Sequence, residues 1–194
     1  MPFIPTMKTY YPTSTIKAFV LGCLPLFLLT ACQSPSDRTT QVEAKARAFF
    51  QTFAERSDWD KLCSFYDEAL VFDDVLLQLH LDSLWQFKRF YQWDDTVNVF
   101  EKLTPDQEHL VVRSLVVHEN MAVATGYFNP FRYNGHLVEN DWGMDFTIWL
   151  YFDENLKIIR QTDWIEYDDY TLESTVARFR KDGLKTPEWL NLKR

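Results

Sequence analysis

The hydrophobic period changes once along this chain, and that change limits the folds open to it. Up to about residue 92 apolar side chains recur three and four apart, and from Val97 to Tyr167 they alternate. Thr40-Gln41-Val42-Glu43 is a capping-box pattern. It opens a predicted helix to about Arg56 with Val42, Ala46, Phe49, Phe50 and Phe53 on one face. Ser57-Asp58 starts a second, short helix through Trp59, Leu62, Cys63 and Tyr66. The apolar stretch 69–79 holds Asp73-Asp74 at its middle, which predicts a short strand breaking into a loop there. Asp82-Ser83 caps a third helix, 84–92, with Leu84, Phe87 and Tyr91 on one side and Trp85 beside them. Five strands are then predicted at 97–103, 109–118, 121–128, 137–152 and 156–167, joined by turns at 104–108, 119–120, 129–135 and 153–155. A helix at 171–181 follows. Helices first and a run of strands after them, joined as an antiparallel meander, predict an α+β fold.

Ahead of this pattern lies a different signal. Lys8 and Lys17 precede the apolar run 18–30, which is too short to span a bilayer and is broken by Pro25. It ends in Leu29-Thr30-Ala31-Cys32, which resembles the lipobox of bacterial lipoproteins. That resemblance implies a signal peptide at 1–31, acylation of Cys32, and a protein anchored to a membrane by lipid rather than embedded in it. Gln33 after Cys32 implies an outer-membrane address, inner face, within the cell envelope. Residues 32–39 read as a polar tether, 40–170 as the folded domain and 171–194 as a helical extension. Cys63 then remains as a single thiol on an apolar helical face, a small buried hydrophobe more than a nucleophile.

The chain carries a formal charge of −8, and removal of residues 1–31 takes two lysines and no acid, leaving −10. Such a surface excludes nucleic acid as a partner. The four histidines, at 80, 109, 118 and 136, have no metal-ligand spacing, and no glycine-rich phosphate loop occurs. No metal or cofactor is expected.

The order of Phe49-Phe50-x-x-Phe53, the segment from Cys63 to Asp74, and the hairpin Phe152-Asp-Glu-Asn-Leu-Lys-Ile158 running on to Asp168 resembles the nuclear transport factor 2-like superfamily, within it the SnoaL-like polyketide cyclases. The resemblance spans residues 41–169 and implies a cone-shaped α+β barrel around a pocket. Two features depart from it: no glycine stands near Asn155, and the C-terminal extension is long. Family members such as limonene epoxide hydrolase, scytalone dehydratase and ketosteroid isomerase place an Asp, His or Tyr in that pocket for acid and base work. Asp163 in Thr162-Asp163-Trp164 is similar to the last-strand carboxylate of the epoxide hydrolases, although their accompanying Arg–Asp pair is not evident.

The residues themselves nominate a pair. If 153–155 is the hairpin loop, Phe152 pairs with Leu156 and Asp145 falls opposite Asp163, two carboxylates able to act as acid and base. A one-residue slip would pair Asp145 with Trp164 instead, and the competing placement puts both acids in water on the convex face. Asp74, His80, Trp85, Tyr127, Trp149 and Trp164 are candidate ligand contacts around the pocket; an aromatic core would call for the same rings without any ligand.

The expectation is therefore an envelope lipoprotein binding a small hydrophobic molecule, either with cofactor-free isomerase, dehydratase or cyclase-like activity or as a non-catalytic module that forms a homodimer through the outer sheet face. The anchor is tested by Cys32→Ser in the host cell. That variant should leave the membrane fraction, and its persistence there would argue for an uncleaved span instead.

Overall fold

The computed structural model describes residues 35–77, 79–91, 100–133, 135–141 and 143–182, and the features below belong to these. Cys32, Trp142 and the expected signal peptide lie outside them. Helix α1 (Pro35–Glu55) begins five residues before the expected cap, so residues 35–39 are helical and not a tether. Proline is well placed there, since the first helical N–H has no intrahelical partner to lose. Val42, Ala46, Phe49, Phe50 and Phe53 are all buried, as the spacing requires. Phe49 meets Phe50, Phe65 and Tyr66 edge to face at 5.1–5.7 Å. Burial of each such ring is worth about 1.5–3 kcal/mol.

Asp58 caps α2 (Trp59–Cys63) by accepting the Lys61 amide at 2.8 Å, and Cys63 is buried. The chain then enters β1 (Tyr66–Asp74) and, after a turn, β2 (Leu79–Leu81). Helix α3 (Leu84–Tyr91) buries Leu84, Phe87 and Phe90. Trp85, one residue and about 100° round from Leu84, is 62% exposed beneath Arg89.

The expected strands appear with two corrections. The principal sheet contains β4 (Leu110–His118), β5 (Met121–Phe128), β8 (Met144–Phe152) and β9 (Ile158–Ile165), antiparallel in the order β9-β8-β5-β4. It is mixed, however, because β1 joins β9 in parallel and β2 extends the sheet beyond β1. The stretch expected as the turn 129–135 and the start of one long strand instead builds a second small sheet. There β3 (Phe100–Lys102), β6 (Phe131–Tyr133) and β7 (His136–Val138) pair antiparallel. Helix α4 (Asp169–Asp182) follows β9. Helices α1 and α3 pack on the inner face of the curved sheet, where Ala122, Ala124, Phe146, Ile148 and Leu150 form the floor of the core.

Gly126 shows how tightly that floor is set. A Cβ there would lie 2.0 Å from the carbonyl oxygen of Val111 and 2.8 Å from the Phe146 ring. A ring can turn aside; a carbonyl in a β-ladder cannot. Gly126→Ala should therefore cost about 2–4 kcal/mol in urea denaturation, and adding Phe146→Leu should not restore the loss. Restoration by the second substitution would show that the ring, and not the ladder, sets the constraint.

Candidate functional site

The expected opposition of Asp145 and Asp163 does not occur. Asp153 Oδ1 accepts the amides of Asn155 and Lys157, and Asp153 N donates to the Lys157 carbonyl, closing a loop of 153–157 rather than 153–155. Its left-handed residue is Leu156, at φ 60°, not Asn155. A bulge between Tyr151 and Phe152 adds a further residue of slip, so Ile148 is the partner of Asp163. The total displacement is three residues, an odd number, which turns the two acids to opposite faces of the sheet. Asp145 stands on the outer face, half exposed, paired with Arg113 at 3.1 Å. Asp163 stands inside, fully buried.

Its neighbour comes from the parallel strand. Phe72 pairs with Gln161 and Asp74 with Asp163, and on both strands these alternate residues face inward. Two buried carboxyls thus lie side by side, and among the described residues neither has an ion-pair partner. Burial, then the charge of Asp74, pushes the Asp163 carboxyl well above the usual carboxylate range. Burial pushes Asp74 up to about 6, against hydrogen bonds from Tyr167 and the Leu77 and Leu76 amides. Asp163 accepts Gln161 Nε2 on both oxygens at 2.9 and 3.0 Å and has the Tyr91 phenol among its neighbours; Asp74 Oδ2 accepts the Tyr167 hydroxyl.

Those two tyrosines open onto a cavity of about 170 Å³. Phe53, Phe90, Phe128, Met144 and Ile165 make most of its apolar wall, and the small sheet adds Phe131, Tyr133 and Val138. Thr171 and Thr175 of α4 also reach it, so the C-terminal helix is part of the site. At the end of α1 the backbone of Arg56 turns left-handed, φ 48°, and directs its guanidinium into the cavity wall. Arg56 lies 4.1 Å from the Phe100 ring centre and donates through Nη1 to His109 Nε2 at 3.1 Å. Burial lowers the Arg56 pKa to about 10, which leaves it charged at neutral pH. Burial, with Arg56 and Lys102 nearby, holds His109 well below its ordinary value, so it is neutral.

Of the candidate contacts, Asp74 alone belongs to this arrangement. His80 is exposed and bonded to Asp73 at 2.7 Å. Tyr127 lies on the outer face under the Arg113 guanidinium, and Trp149 and Trp164 meet on that same face at 6.3 Å. Trp85 is on the surface. These five sit outside the cavity because the sheet's alternation and the helix period turn them away from it. Tyr91, Tyr167, Arg56 and His109 are the polar residues that sequence reasoning passed over. Tyr91 was visible as a helical-face residue but read as core; the other three carry no spacing signal at all.

No protein-family model and no curated protein matches the chain. Solved structures do resemble it. A candidate SnoaL-like polyketide cyclase from Shewanella denitrificans is 14% identical over 73% of this chain and 98% of its own, with a TM-score of 0.49. A candidate ketosteroid isomerase from Kribbella flavida is 16% identical over 67% and 81%, at 0.48. An NTF-2-like protein of unknown function from Burkholderia xenovorans is 14% identical over 81% and 97%, at 0.47. The likeness is one of fold, and no activity passes across it.

The raised carboxyls set the pH dependence of stability. For Asp74, folded at about 6 against 3.8 as a free group, the folded state holds the extra proton, so its contribution is full below about 4 and is lost as pH rises through 6. The span is about 3 kcal/mol at 1.4 kcal/mol per unit. Neutral, buried His109 works in the opposite direction, losing stability as pH falls below its ordinary value. The comparison must therefore be made between variants. In Asp74→Asn the difference in unfolding free energy between pH 4.5 and pH 7.5 should move by about 2–3 kcal/mol in favour of pH 7.5, as read by urea titration; an unchanged difference would mean that Asp74 titrates normally.

Proposed function

We propose that this domain binds a small, mainly apolar molecule in the cavity between α1, α3, α4 and the two sheets, and transfers protons to and from it without a cofactor. The observation that carries the reading is the pair of tyrosines lining the cavity, Tyr167 hydrogen-bonded to the buried Asp74 carboxyl and Tyr91 neighbouring the buried Asp163 carboxyl. A tyrosine that donates to an ionised carboxylate offers the cavity only an acceptor oxygen. When the carboxyl is protonated it donates to the tyrosine, which is then free to donate its own proton inward.

Two neighbouring acids that repel each other hold one proton more easily than none. At neutral pH Asp74 has lost its proton and Asp163 is the better holder. Tyr91 is then the donor and Tyr167 the acceptor, on one cavity. An oxygen on the ligand would be polarised by Tyr91, while a proton leaving an adjacent carbon would pass through Tyr167 to Asp74. This is the logic of an isomerase, dehydratase or cyclase step. Arg56 adds positive potential to the same wall and favours the developing oxyanion.

The anchor at Cys32 and the envelope address are proposed on the sequence alone. They would hold this site beside a membrane, where apolar molecules concentrate.

A carbonyl probe separates the catalytic reading from its binding-only alternative. Indan-1-one in D2O should exchange its C2 protons faster with the protein than without it, and Asp163→Asn or Tyr167→Phe should reduce that acceleration by about 10²-fold or more. Binding of the probe by saturation-transfer NMR without any exchange would leave a binding module. Neither binding nor exchange would remove the cavity from consideration.

A further inference from the structure

Tyr66 takes no part in the cavity, yet it ends the chain of hydrogen bonds that reaches it. It lies on β1, 4% exposed, with its ring against Phe49 at 5.7 Å and Phe87 at 4.7 Å. Its hydroxyl donates to Gln161 Oε1 at 2.7 Å. Gln161, fully buried and two residues before Asp163 on the inner face of β9, then has only its Nε2 to offer the carboxyl, which it does at both oxygens. Tyr91 is the tyrosine whose phenol acts on Asp163.

This arrangement decides where a proton on Asp163 can go. A neutral carboxyl needs an acceptor for its O–H, and an amide has one end of each kind. With the oxygen of Gln161 occupied by Tyr66, the amide presents hydrogens alone, and the acceptors left to Asp163 are the Tyr91 oxygen and the Asp74 carboxylate. We propose that Tyr66 is a positioning residue for the proton relay: by fixing the Gln161 amide it bars that side of Asp163 to the carboxyl proton and leaves the proton to Tyr91 and Asp74, the groups that connect to the cavity.

If the Gln161 amide were free to turn, its Oε1 would accept the Asp163 proton. The proton would then point away from the ligand, and the neutral carboxyl would be stabilised further. Turning the amide in the native chain strands the Tyr66 hydrogen, a buried donor with no acceptor, which is what opposes it. The groups that face this relay are Asp74 and Tyr66 from β1, Tyr91 from α3, Tyr167 after β9, Arg56 from the end of α1 beside Tyr91, and Cys63 of α2 behind Tyr66. Burial, then the charge of its neighbours, keeps the Tyr66 phenol itself protonated at any pH the protein meets.

The inference rests on the proposed relay for its meaning but not for its test. Tyr66→Phe keeps the ring and removes the hydroxyl. In the purified full chain, labelled with carboxyl-13C aspartate, the Asp163 resonance is identified by its loss in Asp163→Asn and followed across pH. Its midpoint should rise by about half a pH unit or more in Tyr66→Phe, while that of Asp74 stays within a few tenths. Gln161→Met, which removes both ends of the amide, should raise Asp163 in the same direction.

An Asp163 midpoint unmoved in Tyr66→Phe overturns the positioning role whatever the protein catalyses. A moved midpoint in a protein that neither binds nor exchanges indan-1-one keeps the positioning role and removes the proposed function. Where exchange occurs, Tyr66→Phe should lower its rate at saturating probe by about tenfold with little change in the concentration giving half the maximal rate, because Tyr66 does not line the cavity. An equal loss in Phe49→Leu, which disturbs packing beside Tyr66 and leaves the hydroxyl in place, would assign the effect to packing and overturn the proposal.

Discussion

The parallel pairing of β1 with β9 is the constraint from which the site follows. Strands consecutive in sequence can pair through a tight turn, but β1 reaches β9 only after some ninety residues of intervening chain have built the rest of the sheet. That pairing sets Asp74 against Asp163 and Phe72 against Gln161, and parallel neighbours project to the same side. A sheet lacking this one ladder would still have a core. It would lose the coupling between the acids, and with it any reason for one carboxyl to hold a proton that the other has released.

The cavity is polarised by what stands behind its wall more than by the wall itself. Tyr91 and Tyr167 line it, and the Asp74 and Asp163 carboxyls behind them are buried outside the lining. Sealing matters because a carboxylate reached by water would return to its ordinary pKa and stop dictating which tyrosine donates. The phenyl rings around α1 and α3 therefore act on the chemistry through solvent exclusion as well as through the stability they contribute. Arg56 and His109, at another part of the same lining, keep a charge and a neutral donor–acceptor in that dry space.

Most of the architecture could be read from the period of the apolar residues, because burial on one face of a helix or strand is a local property of spacing. Strand β5 falls on its expected residues, and β8 shows the apolar even face that the alternation required. The site could be read only in part. Asp163 and Asp74 stood out as acids within apolar strands, but the partner assigned to Asp163 depended on a loop length. Asp153 makes that loop two residues longer than its turn residues suggested, and a bulge adds the third. Neither leaves a mark in hydrophobic pattern. Strand β6 reads in the sequence as part of a turn, and the end of β7 as the start of one long strand, for the same reason: three-residue strands are too short to show a period. The parallel partner of β9 is a matter of topology, and topology over ninety residues is decided by total packing rather than by any local string.

The bulge at Arg113 has a consequence beyond local geometry. Strand β4 ends the principal sheet, and among the described residues nothing is hydrogen-bonded along its far side. Nine residues rich in valine and leucine, with backbone donors and acceptors open to solvent, would ordinarily be a template for runaway polymerisation. The extra residue breaks the regular ladder between Val112 and Ser114 and plants a guanidinium there, already engaged with Asp145 on the flank. A rim broken in this way offers a second strand no unbroken ladder to pair with. The bulge thereby blunts this edge against pairing with another chain.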